Sequence, residues 1–238
     1  MKDLIVVMGC SQIGGGLMTY YLKQLSAADI ETYIDPWEWT NDLEFQLKTQ
    51  RPLVNKFSDY SKIVFTDAFD VLFFGTKVDL LSKIPDTGVI TAAERIYWPD
   101  DGRAADFPCT TAWRYVNGGM MAGTPQSFST WLDGLESHPV YAEMTKDYNQ
   151  RFLNRLRVED SPLMTLDEKT EIFYCLPGEK DELSFEKGRP VNKVCGTHPN
   201  FLHINNPPTW NQIDNPEFWS HVPFSKGWMG EWRATRWQ

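Results

Sequence analysis

The chain has 238 residues, 42% of them hydrophobic and 14% aromatic, enough apolar material for a buried core and too much for an intrinsically disordered protein. A formal net charge of -9 weighs against a protein that grips nucleic acid through a broad basic surface. Cys10, Cys109, Cys175 and Cys195 lie far apart with no Cys-x-x-Cys spacing, which excludes a zinc knot or disulfide scaffold and predicts free thiols.

Leu4-Ile5-Val6-Val7-Met8 is a continuous apolar run that stops at Gly9-Cys10-Ser11-Gln12, the pattern of a buried parallel strand opening into a loop. That run is too short for a secretory signal, and no later one reaches membrane-spanning length, so a cytoplasmic protein with no membrane partner is expected. Gly14-Gly15-Gly16 leads into Leu17, Tyr20, Tyr21 and Leu25 at helical spacing, predicting a helix over about 16 to 27. A strand over 31 to 34 that breaks at Asp35-Pro36, a helix over 42 to 57 and a strand over 62 to 66 complete a βαβαβ alternation. The alternation predicts an α/β fold with a mainly parallel, Rossmann-like central sheet flanked by helices. Ligand-binding groups should then gather where Gly9 and Asp67 stand, at the carboxyl ends of strands.

Further along, the pattern predicts a short helix over 78 to 82, a strand over 88 to 92 and a loop reaching Trp113. A strand over 115 to 122, interrupted at Gly118-Gly119, precedes helices over about 125 to 136 and 142 to 157. Short strands near 171 to 175 and 200 to 204 close the core, and the whole chain is expected to form a single domain.

The residues with chemistry to offer begin at Thr66-Asp67-Ala68-Phe69-Asp70. Two carboxylates in an Asp-x-x-Asp pattern, on a turn directly after a buried strand, can point into one cleft and share a divalent cation such as Mg²⁺ or Mn²⁺. The same pattern also describes an ordinary surface turn. His203, at the end of the apolar Phe201-Leu202, is a candidate third ligand through a neutral imidazole nitrogen. Phe69 between the two acids either faces a ligand or packs inward. Asn117-Gly118-Gly119 suits a close approach of backbone to ligand, or a plain bulge. Asp147, Asn149 and Gln150, at the start of a predicted helix, could bond sugar hydroxyls or cap the helix. Trp98 could stack on a sugar or pack within its loop. At the end of the chain Lys226, Arg233 and Arg236 alternate with Trp228, Trp232 and Trp237.

Five ordered segments combine these residues. They are Phe65-Thr66-Asp67-Ala68-Phe69-Asp70-Val71, Ala93-Glu94 through Tyr97-Trp98-Pro99, Val116 through Gly123, Asp147-Tyr148-Asn149-Gln150-Arg151-Phe152, and His203-Ile204-Asn205-Asn206-Pro207. Together they resemble the glycosyltransferase domain of the lysyl hydroxylase and procollagen glycosyltransferase group, over nearly the whole chain. The resemblance implies a GT-A fold, a UDP-sugar donor, and Mn²⁺ (or Mg²⁺) held by Asp67, Asp70 and His203. It implies transfer of a hexose, glucose or galactose, to a hydroxyl of a modified acceptor, either a hydroxylysine-type protein or glycan or a hydroxymethylated pyrimidine in DNA. Residues 1–125 would be the nucleotide-sugar half and 126–238 the acceptor half. On the donor side it implies roles for Met8, Gly9 and Cys10 around the base, Phe69 by the nucleoside, and Gly118, Asn206 and Lys226 nearby. The catalytic and acceptor side would use Asn117, Asp147, Asn149, Gln150 and Trp98.

Two departures stand out. Tyr148 and Asn149 interrupt the acidic run that precedes the glutamine in the family, and Thr209 stands where a phosphate-binding lysine is expected. Charge compensation for the diphosphate would then fall to Lys226, Arg233 or Arg236. The competing reading is a non-catalytic module that binds a sugar nucleotide or glycan on the same fold; retention of Asp67, Asp70 and His203 argues against it.

Overall fold

The computed structural model describes residues 1–10, 17–36, 43–98, 102–107, 111–144, 148–159, 164–176, 182–204 and 216–222. The chain opens as predicted: β1 (Lys2–Gly9), α1 (Met18–Ala27), β2 (Glu31–Asp35), α2 (Leu43–Lys56) and β3 (Tyr60–Thr66). β1 pairs in parallel with both β2 and β3. Its run is continuously apolar because both of its faces are buried. Leu4, Val6 and Met8 enter one core cluster while Ile5 and Val7 enter another on the opposite face of the sheet. α2 and the later helices cover the second face, supplying Leu47, Val54, Phe128, Leu132, Phe152 and Leu156.

β4 (Val71–Phe73) and α3 (Lys77–Lys83) follow, then β5 (Val89–Glu94), β6 (Tyr115–Gly123), α4 (Pro125–Ser137), α5 (Tyr141–Met144) and α6 (Asn149–Val158). The helix expected over 142 to 157 is thus two described helices. The main sheet has the order β2-β1-β3-β6-β5-β7, with β7 spanning Met164–Leu166. Three of its pairings are parallel, while β6 runs antiparallel to both β3 and β5. This single reversal positions the site, because the start of β6 lies beside the carboxyl ends of its neighbours: Thr66 stands opposite Met120 and Glu94 opposite Tyr115. The expected break at Gly118-Gly119 is accommodated without ending the strand, through a shift of register in β5 between Thr91 and Ala92.

A second sheet of three short strands, β4-β11-β8, packs against the main one. Its members are β4, β8 (Phe173–Cys175) and β11 (Phe201–His203), with β11 central, antiparallel to β4 and parallel to β8. Val71, Phe73, Phe173 and Phe201 close the first core with α1, while Leu72, Tyr174 and Leu202 form a third cluster with Trp113, Phe218 and Trp219. The last two belong to α7 (Pro216–His221). β9 (Leu183–Glu186) and β10 (Arg189–Asn192) form a separate hairpin that packs Leu183 and Phe185 on the third cluster, and its two turn residues, Lys187 and Gly188, have φ of 51° and 77°. No helix among the described residues is long and apolar enough to cross a membrane.

Candidate metal and donor site

The Asp67–Asp70 turn is held from three sides. Asp67 N–H donates to Gly119 O at 2.9 Å, Leu17 N–H to Phe69 O at 3.0 Å, and Ile204 N–H to Asp70 O at 2.8 Å. The last bond continues the β4–β11 ladder, which sets His203 opposite Val71. As a result the imidazole of His203, 1% exposed, stands with Nε2 3.2 Å from Asp67 Oδ2 and 3.4 Å from Asp70 Oδ1. Ligating atoms of Asp67, Asp70 and His203 all lie within 4.8 Å of one another.

Two observations test whether a divalent cation suits this cluster. His203 Nε2 is buried without a well-formed hydrogen bond to any partner, although it faces both carboxylates. A buried polar atom in that position is costly unless something completes its shell. Gly119 explains how the ligands come together: a Cβ there would lie 2.2 Å from Asp67 Oδ2 and 2.9 Å from His203 Cε1. Two carboxylate oxygens and one imidazole nitrogen, with further positions open, form a donor set fitted to Mn²⁺ or Mg²⁺. The charges agree. Burial would depress the His203 pKa, but Asp70 and the contacts to both carboxylates raise it well above its ordinary value. Burial raises Asp67, with His203 opposing that rise. A buried carboxyl and an imidazole that both hold their protons more tightly than usual mark a site short of positive charge.

Phe69 is 39% exposed and so faces outward rather than into the core. The β1 end is less accessible than expected. Met8 is fully buried, and Cys10 is 1% exposed with its sulfur 3.7 Å from Met18 Sδ. Both side chains lie in the core, so at this strand end, expected to line a base pocket, Gly9 is half-buried while Met8 and Cys10 are buried.

Asn117, Gly118 and Gln150 come together behind the metal cluster. The Asn117 side chain donates to Glu94 Oε2 at 3.2 Å and accepts Gly119 N–H at 3.0 Å. The Gln150 amide donates to Glu94 Oε1 and to Trp98 O, and accepts Gly118 N–H at 3.1 Å. Asn117 is 3% exposed and Gln150 8%. Both amides, expected to touch substrate, are engaged within the protein and hold the Gly118-Gly119 backbone. Glu94, 4% exposed, joins these groups and was missed as a site residue. In the sequence it showed only as an acid ending an apolar strand and as part of the Ala93-Glu94 segment, with no role attached. Cys175 was also missed, and its sulfur lies 3.7 Å from His203 Nδ1.

Nearer the surface, Trp98 is 46% exposed and Tyr148 39%, with ring centroids 5.1 Å apart. Asn149, half-buried, lies against Gly118, where a Cβ would meet its side chain at 3.2 Å. Asp147, Asn206 and Lys226, with Thr209, Arg233, Arg236 and the tail tryptophans, lie outside the described residues. A separate cavity of about 420 Å³, lined by Lys83, Thr111, Asp167, Glu168, Lys169 and Glu171 among others, shares no residue with the metal cluster. Asp167 there is taken up structurally, accepting the backbone N–H groups of Glu171, Ile172 and Phe173 at 2.8–2.9 Å.

Comparison with known proteins places these features in a family. Residues 44–218 match the family model described as PLOD GT domain. The chain is 31% identical over 180 residues to the multifunctional procollagen lysine hydroxylase and glycosyltransferase LH3 of Pongo abelii, covering 71% of this chain and 23% of the relative. It is 31% identical over 155 residues to procollagen-lysine,2-oxoglutarate 5-dioxygenase 2 of Mus musculus, covering 61% and 20%. This chain thus spans about a quarter or less of the curated relatives it matches. A crystal structure of a glycosyltransferase involved in glycosylation of the major capsid of PBCV-1 superposes with a TM-score of 0.51 at 10% identity, over 88% of this chain and 97% of that one. That likeness concerns the fold, which is of the GT-A glycosyltransferase type. With an Asp–Asp–His cluster at the strand ends and a family model matched over most of its length, the chain belongs to the PLOD GT domain family.

Proposed function

We propose that this protein transfers a hexose, glucose or galactose, from a UDP-sugar to a hydroxyl of a modified acceptor. The observation that carries the proposal is the buried, unsatisfied Nε2 of His203 facing Asp67 and Asp70, with Gly119 leaving the space between them clear. Asp67, Asp70 and His203 would hold Mn²⁺ (or Mg²⁺), which when bound supplies Lewis-acid stabilisation of a diphosphate leaving group. Phe69, exposed between the two acids, offers an aromatic surface to the nucleoside, and Gly9 offers backbone at the end of β1. The Glu94–Asn117–Gln150 network holds the Gly118-Gly119 backbone at the place where Asp67 needs it, so it positions without touching substrate. Trp98, Tyr148 and Asn149 form the rim on which the acceptor would rest.

Procollagen lysine hydroxylases among the relatives make a hydroxylysine-type protein the acceptor to test first, and the net charge of -9 weighs against DNA. The test is UDP release from UDP-glucose and UDP-galactose with and without Mn²⁺. The parent should release UDP only with metal, and Asp67→Asn should lose that release by about 100-fold or more, the usual scale for removing a group that stabilises developing charge. Metal-independent release, or none with either donor, would sink the reading. Product mass spectrometry on hydroxylysine peptides and on hydroxymethylated DNA then assigns the acceptor.

A further inference from the structure

A neutral imidazole carries one proton on two nitrogens, so the nitrogen that ligates a metal is chosen by what the other one touches. His203 Nε2 faces Asp67 and Asp70, which leaves Nδ1 to take the proton and to find it an acceptor. The contact there is Cys175 Sγ at 3.7 Å. This contact is built by the sheet: β8 and β11 pair in parallel with Cys175 opposite His203, and Leu176 N–H donates to His203 O at 3.0 Å. On the other side the Trp113 indole N–H donates to Cys175 O at 3.3 Å, and Trp113 is itself fully buried. Cys175, 2% exposed, therefore has its backbone held by two neighbours and its sulfur directed at one ring nitrogen.

We infer that Cys175 is the positioning residue of the metal histidine: its sulfur accepts a hydrogen bond from Nδ1–H, fixes the tautomer and ring orientation of His203, and presents the Nε2 lone pair to the cation. The inference rests on the Asp67–Asp70–His203 metal site proposed above. Groups that orient a metal ligand in this way typically change metal affinity by about 10- to 100-fold when removed. A thiol is a weak acceptor, and a hydroxyl in its place retains the capacity to accept.

The experiment titrates the full chain with Mn²⁺, following free metal by electron paramagnetic resonance, with no donor or acceptor present. Cys175→Val keeps the side-chain bulk and removes the acceptor, and its Mn²⁺ dissociation constant should rise about tenfold or more. Cys175→Ser should stay close to the parent. Cys175→Ala supplies the same loss of acceptor if the branched side chain folds poorly, and thermal unfolding of the metal-free variants identifies that case. In ¹⁵N-histidine spectra of the Mg²⁺-loaded proteins, the His203 Nδ1–H should exchange with water slowly in the parent and Cys175→Ser and faster in Cys175→Val, a difference that simple packing would not produce. Parent-like Mn²⁺ affinity in both the Val and Ala variants, or equal losses in Val and Ser, would overturn the role of Cys175. A parent that binds no Mn²⁺ would instead remove the metal site itself, so the two failures are distinguishable.

Discussion

At residue 119 a single hydrogen in place of a methyl group decides whether the ligands can assemble. A Cβ at Gly119 would collide with Asp67 Oδ2 and His203 Cε1, whereas the nearest atoms to one at Gly118 belong to the side chain of Asn149, at 3.2–3.4 Å. Gly119→Ala should therefore abolish measurable Mn²⁺ binding, while Gly118→Ala should shift it by less than a few fold, because the Asn149 amide can swing away. Isothermal titration of the two variants checks the contrast, and equal losses would show that the spacing argument is wrong. The two acids and the histidine were legible in the sequence because strand ends and an Asp-x-x-Asp spacing are local signals. Glu94 and Cys175 were not. Their importance comes from strand register, which brings together residues that are 23 and 28 positions from their partners Asn117 and His203.

At the scale of elements, the geometry of the cluster depends on how β4 and α3 dock beside β11. Asp79, in the first turn of α3, accepts from Arg189 at 2.6 Å and from Asn200 Nδ2 at 2.8 Å, with Lys83 3.4 Å away. Asn200, fully buried, also accepts Phe74 N–H through its carbonyl and donates from its side chain to Phe74 O. Burial alone would raise the Asp79 pKa, but Asn200, Lys83 and Arg189 outweigh it and hold the carboxyl below its ordinary value. A folded pKa below the unfolded one gives stability that is complete above about pH 3.9 and lost as pH falls through the folded value. Asp79→Asn should thus lower the melting temperature at pH 7, and parent and variant should converge as pH falls through the folded pKa of Asp79, below which both side chains are neutral. A gap that stays constant across that range would contradict the linkage.

The same scale shows why some elements were read and others not. α1, α2 and α4 each bury one apolar stripe, and β1 and β3 are continuous apolar runs, so periodicity exposed them. β4 was not separable, because Val71-Leu72-Phe73 follows Asp70 without a turn signal and is only three residues long. The β9–β10 hairpin turns on Lys187-Gly188, without the Asn-Gly or Asp-Gly pair that marks such turns in a sequence. The reversal of β6 was invisible too, since direction in a sheet is a property of connections rather than of residues.

Over the whole molecule, neighbouring clusters share strands. Val71 and Phe73 belong to one core and Leu72 to the next, and Val64 and Ile63 divide in the same way. No described core can melt without exposing the back of a strand that another core needs. Chemical unfolding should accordingly be a single transition, with tryptophan fluorescence and far-ultraviolet circular dichroism tracing the same curve. Two separated midpoints would show that the small sheet yields before the large one.

One stretch adds a small cluster of its own to this interdependence. The connection from Arg95 to Arg114 leaves and re-enters the main sheet at the adjacent pair Glu94 and Tyr115, and Tyr97, Phe107 and Tyr115 give it a small core of its own, with ring centroids 5.0–5.2 Å apart. Its anchors are Trp98, whose carbonyl accepts from Gln150, and Trp113, which donates to Cys175 O, so substitutions confined to the exposed Gly102, Ala105 and Asp106 between them should leave the surroundings of Asp67, Asp70 and His203 in place.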